Sequence, residues 1–339
     1  MKKLKLGIIG TGRIGQLHLD NIIRFIPEAE VLALSDIAFD HAKFVAESRC
    51  IERVYPDPAA IFEEPDIDAV LICSSTDTHA CFIEEAAAAK KHVFCEKPIA
   101  LDLTTIDRAV AAAEDAGIKL QIGFNRRFDP NFLEARRQVL EGAIGTPHVV
   151  KITSRDPEPP PIGYVAGSGG MFMDMTIHDF DMARYIVGED VEEVYAAGAV
   201  LVDPKIGEAG DIDTAVITLR FRGGAIGVID NSREAVYGYD QRLEVFGNQG
   251  MISVANPKPH TAVHSGRPGD SAPPLLHFFL ERYAQSFVTE LRGFVESVRK
   301  DTEPPVTGRD GRAPVVIALA ALKSLSEGRA VKLSEIESS

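Results

Sequence analysis

At 339 residues the chain is longer than one hydrophobic core usually grows, so two domains are expected. Apolar residues make up 45% and charged residues 25%, ordinary globular values that exclude a disordered or fibrous chain. The formal net charge of -14, with Lys and Arg scattered along the sequence, argues against nucleic acid as a partner and leans toward a neutral substrate.

The N-terminal MKKLKLGIIG passes from a short basic lead straight into a strand pattern, without the apolar core of a signal peptide, and no apolar stretch reaches membrane-spanning length. A cytoplasmic protein without a membrane partner is expected. Cys50, Cys73, Cys81 and Cys95 show no CxxC spacing and no matching His cluster, so structural zinc is not expected and all four are read as reduced. Cys73 and Cys95 stand in or beside apolar runs, where a thiol behaves as a small hydrophobe.

From Leu4 to Phe124 the runs KLGIIG, EVLALSD, DAVLICSS, KHVFCEK and KLQIGFN alternate with helical patterns. That alternation is the signature of βαβ units, and near-continuous apolar runs suit strands covered on both faces of a parallel sheet. Gln16 to Phe25, Phe39 to Glu47, His79 to Ala89 and Thr104 to Ala116 are the predicted crossover helices. A doubly wound α/β domain over 1–124 follows.

From Asn125 the character changes. A helix (DPNFLEARRQVLEG), a Pro-rich stretch (DPEPPPIG) and a second helix (GGMFMDMTIHDFDMARYIVG) precede five alternating strand patterns. These are VEEVYAAGAV, DTAVITLRFR, AIGVIDNSREA, QRLEVFGNQG and MISVAN, which suit an antiparallel or mixed sheet with one solvated face. Helices return over Leu275 to Lys300 and Ala313 to Glu327, the latter with Pro314 in its first turn. The second domain, 125–339, is therefore predicted α+β.

Gly10-Thr11-Gly12-Arg13-Ile14-Gly15 stands between the first strand and the helix after it, and Asp36 closes the second strand. A GxGxxG in that context, with an acid about 20 residues on, is a dinucleotide fingerprint. Gly10 permits the tight turn, Gly12 lets backbone approach a pyrophosphate, Gly15 lets helix pack on strand, and the helix N-terminus favours the anion. Asp36 suits ribose hydroxyls and repels a 2′-phosphate, which favours NAD over NADP, although Arg13 leaves dual use open. Ser74, Ser75 and Thr76, at the carboxyl end of another strand, are expected to line the cofactor groove, one of them also serving as a helix N-cap. His79 is either a helix-start histidine or a cofactor contact.

Glu96-Lys97-Pro98 ends the KHVFCEK strand, and Pro98 restricts Lys97 to extended backbone, presenting its ammonium at the sheet's carboxyl edge. In DMTIHDFD, helical spacing puts Asp174 and His178 one turn apart with Asp181 close to the same face. An imidazole so placed can shuttle a proton. A metal site there ranks low, because only one imidazole and no cysteine are present.

Taken together, GTGRIG, Glu96-Lys97-Pro98, GFNRRFDP at Gly123 to Pro130, and GGMFMDMTIHDFDMARY at Gly169 to Tyr185 resemble the Gfo/Idh/MocA oxidoreductase family over nearly the whole chain. The resemblance implies a Rossmann domain followed by a domain with a large open-faced sheet, and association into tetramers. It implies NAD-dependent oxidation of one secondary hydroxyl of a polyol, with myo-inositol going to its 2-keto product. Lys97, Asp174 and His178 match the family's catalytic triad: His178 as general base, Lys97 polarising the oxygen, Asp174 orienting His178 or substrate. Glu96 and Lys97 are also placed at the cofactor. Arg127, Asp156 and Tyr237 are candidates for gripping neighbouring hydroxyls, and Asn125 and Arg126 for touching cofactor or ring. Another inositol isomer, an aldose, or a non-catalytic NAD-binding sensor are the rival readings; the intact triad speaks against the sensor.

Overall fold

The computed structural model describes residues 3–337 apart from 166. The chain packs as two units, the first made of 1–128 with 285–315 and the second of 129–284 with 316–339.

In the first unit the five apolar runs form strands, joined by a sixth. They are β1 (Leu4–Ile9), β2 (Ala29–Ser35), β3 (Arg53–Tyr55), β4 (Ala69–Ile72), β5 (His92–Cys95) and β6 (Leu120–Ile122). All pair in parallel, in the order β3-β2-β1-β4-β5-β6. This is the dinucleotide-binding order, whose direction reverses between β1 and β4. The short edge strand β3 escaped the sequence reading, because three half-buried residues make no apolar run. The connections are α1 (Arg13–Phe25), α2 (Phe39–Glu47), α3 (Ala59–Glu63), α4 (Thr76–Ala88) and α5 (Leu103–Ala116). In α1, Gly15, His18, Leu19 and Ile22 are buried at helical spacing, the stripe that lays this helix on the sheet. Asp102 caps α5 by accepting from Thr105 N at 2.8 Å, and Gly117 ends it in the left-handed conformation at φ +69.

The second unit carries a seven-stranded sheet. Its strands are β7 (Pro147–Arg155), β8 (Val191–Ala199), β9 (Thr214–Phe221), β10 (Ile226–Ser232), β11 (Asp240–Gly247) and β12 (Gly250–Val254), with a separate hairpin of β13 (His264–Gly266) and β14 (Gly269–Ser271), and finally β15 (Val331–Lys332). The sheet order is β12-β11-β7-β10-β9-β8-β15, antiparallel except for β7 beside β10. All five alternating segments are therefore strands. One face buries Val150, Ile152, Ile217, Leu219, Ile229, Leu243 and Val245, and the other exposes Tyr195, Val216, Ile226, Phe246 and Met251. Helices α6 (Pro130–Leu140), α7 (Ile162–Val165), α8 (Met171–Asp174), α9 (Ile177–Val187), α10 (Pro204–Glu208) and α11 (Phe279–Arg282) belong to this unit.

The chain then returns to the first unit. Leu291, Phe294 and Val295 of α12 (Ala284–Lys300) join the core around Leu6, Ile8 and Phe94. The sequence division at 124/125 leaves this helix with the second domain; its apolar stripe announces a helix but not which core receives it. Helix α13 (Gly308–Glu327) begins earlier than predicted, so Pro314 lies inside it. Gly308 and Gly311 serve close packing: an added Cβ would come within 2.9 Å of Val110 at the first and of Ile122 and Ile99 at the second. Thr307 and Asp310 reciprocate as a capping box, Asp310 N donating to Thr307 Oγ1 and Thr307 N to Asp310 Oδ2. A last short helix, α14 (Ser334–Glu337), follows β15.

Candidate active site

The turn between β1 and α1 lies at the switch point of the first sheet. Gly10 has φ +93, and a Cβ there would stand 2.5 Å from the Cys73 carbonyl oxygen; a Cβ on Gly15 would lie 1.9 Å from the Gly10 carbonyl oxygen. Gly12 differs, since a Cβ built there meets nothing within 4 Å. Two of the glycines close the turn and the third keeps open space at the start of α1. Gly12 is the N-cap of α1, no side chain caps that end, and no acid stands in the first turn. The N–H groups there keep their positive end for an anion. Arg13 and Ile14 form the first residues of that helix.

Asp36 follows β2 and faces this turn. Its Oδ2 accepts from Thr11 N at 2.6 Å and Thr11 Oγ1 at 2.8 Å, and its Oδ1 accepts from Ala38 N at 2.8 Å. Burial disfavours the charge, but the Thr11 and Ala38 hydrogen bonds outweigh it and hold the carboxyl below the usual range. A carboxylate offers about four acceptor sites, so these three donors leave room for a ribose hydroxyl. The open Gly12, the uncapped helix and the charged Asp36 fit a dinucleotide.

Ser74, Ser75 and Thr76 lead from β4 into α4. Ser75 occupies the N-cap position without a side-chain capping bond, while the Ser74 and Thr78 hydroxyls lie 2.7 Å apart. His79 is buried, its Nδ1 2.8 Å from the Pro98 carbonyl oxygen and its Nε2 3.1 Å from that of Ser74. Burial pushes the ring's pKa down, and a neutral ring has one N–H, which the shorter contact assigns to Pro98. The imidazole thereby ties the start of α4 to the turn carrying Lys97. In that turn Glu96 N donates to Ile72 O at 3.0 Å, the Lys97–Pro98 peptide is cis, and Lys97 is half-buried. His18 Nε2 lies 2.7 Å from Glu96 Oε1. Asn125, Arg126 and Arg127 form a single buried 3₁₀ turn after β6, and Arg127 Nη2 donates to Asp310 Oδ1 at 3.1 Å, so Arg127 is not a solvated charge.

In the second unit the predicted continuous helix is broken. Asp174 ends α8, Met175 and Thr176 form the joint, and His178 is the second residue of α9. The cause is tertiary: Thr176 Oγ1 donates to Asn231 Oδ1 at 2.6 Å, and Asn231 Nδ2 donates to Asp179 Oδ2 at 2.9 Å. Asn231 belongs to β10, so this buried network hangs the joint on the middle of the sheet. Asp174 Oδ1 accepts from Tyr164 OH at 2.8 Å and Oδ2 from Arg233 Nη1 at 3.3 Å, while Arg233 Nη2 lies 3.6 Å from Asp211 Oδ2. Asp174 and His178 are half-buried; Asp181 is fully buried. Tyr164, Arg233, Asp211 and Asn231 escaped the sequence reading. Tyr164 follows a Pro-rich stretch and Arg233 a strand end, where each looks like an ordinary surface residue.

Of the remaining two candidates, Asp156 directly follows β7 and Tyr237 lies in the turn between β10 and β11. Asp156 is half-buried, with its N–H donating to Ser232 O at 3.0 Å. Tyr237 donates through its hydroxyl to Asp240 Oδ2 at 2.8 Å and accepts from Arg155 Nη1 at 3.0 Å. Arg155 in turn pairs with Asp230, whose alternate positions on β10 include the exposed Ile226. Tyr237 is thus engaged with the open face of the sheet, whereas Asn231 serves the buried face beneath Asp174 and His178.

The strand order, the glycine turn and Asp36 define a dinucleotide-dependent oxidoreductase with a second α+β domain. The chain belongs to the Gfo/Idh/MocA family: residues 4–124 match the oxidoreductase family's NAD-binding Rossmann fold, and 132–253 match the GFO/IDH/MocA C-terminal domain. It is 52% identical to the myo-inositol 2-dehydrogenase of Thermotoga maritima, covering 98% of this chain and 99% of that protein. The inositol 2-dehydrogenase of Rhizobium meliloti is 41% identical, again over 98% and 99%. Among solved structures, scyllo-inositol dehydrogenase from Lactobacillus casei with bound NAD(H) and scyllo-inositol superposes with a TM-score of 0.91 at 30% identity, over 98% of this chain and 100% of that one.

Proposed function

We propose that the chain is an NAD-dependent dehydrogenase that oxidises one secondary hydroxyl of myo-inositol to the 2-keto product. The observation that carries this reading is the 52% identity over almost the full length to a myo-inositol 2-dehydrogenase. When bound, NAD accepts the hydride from the carbinol carbon.

The chain's own residues do the rest. Gly10, Gly12 and Gly15 and the first N–H groups of α1 hold the pyrophosphate, and Asp36 holds the adenosine ribose. Lys97 donates to the reacting oxygen and stabilises the developing alkoxide. His178 takes the hydroxyl proton as general base, with Asp174 orienting it or the substrate. Asp156, Arg127 and Tyr237 grip neighbouring hydroxyls, Arg127 braced by Asp310 and Tyr237 by Asp240 and Arg155.

The second reading keeps the reaction and changes the isomer to scyllo-inositol, favoured by the similarity to the Lactobacillus casei protein. The two differ in the configuration of one hydroxyl. NADH absorbance followed with myo-inositol, scyllo-inositol, other isomers and aldoses separates them. The highest kcat/KM on myo-inositol is expected, and no NADH with any polyol would end the dehydrogenase reading. We also propose that the exposed apolar face carrying Tyr195, Val216, Ile226, Phe246 and Met251 is covered by a second copy within a tetramer, as the family resemblance implies. Sedimentation as a monomer at micromolar concentration would refute it.

A further inference from the structure

Helix α12 buries Phe287, Leu291 and Phe294 at helical spacing, and in the middle of that stripe stands a glutamate. Glu290 is 0% exposed, and neither side-chain oxygen has a hydrogen-bond partner among the described residues. One ligand atom each from Glu290, His18 and Glu96 lie within 4.8 Å of one another. His18 is itself fully buried, stacked edge-on against Phe94 at 5.2 Å and Phe287 at 5.9 Å, with Nε2 2.7 Å from Glu96 Oε1. Gln121 Nε2 donates to the Glu290 backbone carbonyl at 2.9 Å, which fixes this turn of the helix in place. Gly123 lets the chain after β6 pass the Glu96 carboxylate, for an added Cβ would lie 3.1 Å from Glu96 Oε2. The Glu96 carboxylate is therefore engaged from α1 by His18 and packed closely by the chain after β6, with Glu290 of α12 beside it, and the next residue is Lys97.

We propose that His18, Glu96 and Glu290 form a buried positioning cluster for the turn that presents Lys97, in which His18 donates to the Glu96 carboxylate and Glu290 stands beside them as a neutral carboxylic acid. Among the described residues, the groups facing Glu290 are the Glu96 carboxylate, the His18 ring and the Cys73 thiol. None is a fixed cation. An ionised carboxylate without hydrogen bonds in such surroundings is strongly disfavoured, so the proton stays on. Burial and the Glu96 charge push Glu290 well above the ordinary carboxylate range, in the same direction. Two fully buried polar side chains, His18 and Glu290, in an otherwise apolar core weaken the fold. Their placement around Glu96, the residue before Lys97, supplies a reason to retain them, since a small misplacement of a catalytic group is costly in rate. The positioning role rests on the dehydrogenase reading; the protonation of Glu290 does not.

Two arms keep those apart. The first compares denaturant unfolding of the wild-type protein with Glu290→Gln, without cofactor or substrate. The folded wild type retains a proton that the unfolded chain releases above the ordinary carboxylate range, so its stability relative to the Gln variant falls as pH rises. The ratio of the two unfolding constants should change by up to about tenfold per pH unit from about pH 5 until Glu290 ionises. Parallel pH profiles would overturn the neutral acid, and so would a stoichiometric metal ion held by the dialysed wild type and lost in the variant. The second arm compares His18→Phe with His18→Gln. The Phe variant should lose about tenfold to a hundredfold in kcat, with NADH affinity by fluorescence titration within about twofold, and the Gln variant should recover most of the loss. Equal loss in both variants at unchanged melting temperature would overturn the positioning role. If His18→Phe does not fold, wild-type kcat in His18→Gln supports it and a kcat reduced as far as in Lys97→Ala refutes it. A protein inactive on every polyol that still shows the pH-dependent gap would sink the dehydrogenase reading alone.

Discussion

Arg233 reaches Asp174 with Nη1 at 3.3 Å while only 1% of its side chain is exposed, and the same guanidinium lies 3.6 Å from Asp211. Two carboxylates thus share one buried cation. Asp211 is committed on its other side, accepting from Met171 N at 3.0 Å at the start of α8. The guanidinium therefore fixes Asp174 from below, while Tyr164 holds it from the other oxygen.

Removing that cation should be severe. Arg233→Met leaves Asp174 and Asp211 as like charges without their partner, and breaking a buried pair in this way costs about 3–5 kcal/mol. Urea denaturation measures it directly. Arg233→Lys keeps the charge but cannot fork between two carboxylates, so it should fold, lose less stability, and still show a lowered kcat because Asp174 is no longer held in one orientation. Wild-type stability in the Met variant would mean that the pair carries no net weight.

The glycine turn separates folding from binding. Gly15→Ala would put a Cβ 1.9 Å from the Gly10 carbonyl oxygen, an overlap with backbone that no rotamer relieves. We expect a loss of at least about 1–3 kcal/mol of stability, the usual range for overpacking. Gly12→Ala meets open space and should melt within a degree or two of wild type, on the order of 0.5 kcal/mol or less. If the pyrophosphate lies at this turn as proposed, the methyl takes up its room, and NADH affinity should fall by about tenfold or more, as a lost charged hydrogen bond would give. Thermal melts and NADH fluorescence titration on the two variants read both effects.

Asp36 makes a prediction in pH and one in cofactor choice. Its folded pKa lies below the unfolded value, so the stability it contributes is present above the ordinary Asp range and is lost as pH falls through the lowered folded pKa. Asp36→Asn should therefore narrow the gap in stability between neutral pH and acid, read by melting temperature across that window. If Asp36 holds the ribose as proposed, removing the carboxylate also removes a charge-assisted acceptor worth about 1.5–3 kcal/mol and lifts the repulsion of a 2′-phosphate. The ratio of kcat/KM for NAD over NADP should drop at least tenfold, roughly the conversion of that energy. An unchanged ratio would place the ribose contact elsewhere.

These sites differ in how far their local sequence reveals them. GTGRIG and Asp36 act through their own backbone and the strand they follow, so the glycine turn is readable residue by residue. The break between Asp174 and His178 is not, because MFMDMTIHDFDMAR is continuous helix-forming sequence and the break comes from Asn231, more than fifty residues on in β10. Strand β7 is poorly marked in the sequence, because Val149 and Val150 stand side by side and the buried position 154 is a serine, which blurs the apolar alternation of a strand with one solvated face. Glu290 is hidden for a similar reason. In sequence it reads as a polar residue of an amphipathic helix, and only the return of α12 to the first unit turns it inward.

The last prediction concerns Lys97 and His178 together. If Lys97 stabilises the alkoxide and His178 removes the proton from the same hydroxyl, each acts only when the other is in place. Lys97→Ala should then lower kcat by about 10²–10³, as the loss of an oxyanion donor does, with NADH affinity retained. His178→Gln should lower kcat by about 10²–10⁴ and flatten the acid limb of the pH profile, since no imidazole remains to be deprotonated. Groups that act as a unit are strongly non-additive, so the double variant should be little worse than the poorer single variant. Independent groups would instead multiply their losses. A steady-state comparison of the four proteins on myo-inositol decides between the two, and fully multiplicative losses would mean that the amine and the imidazole serve different steps.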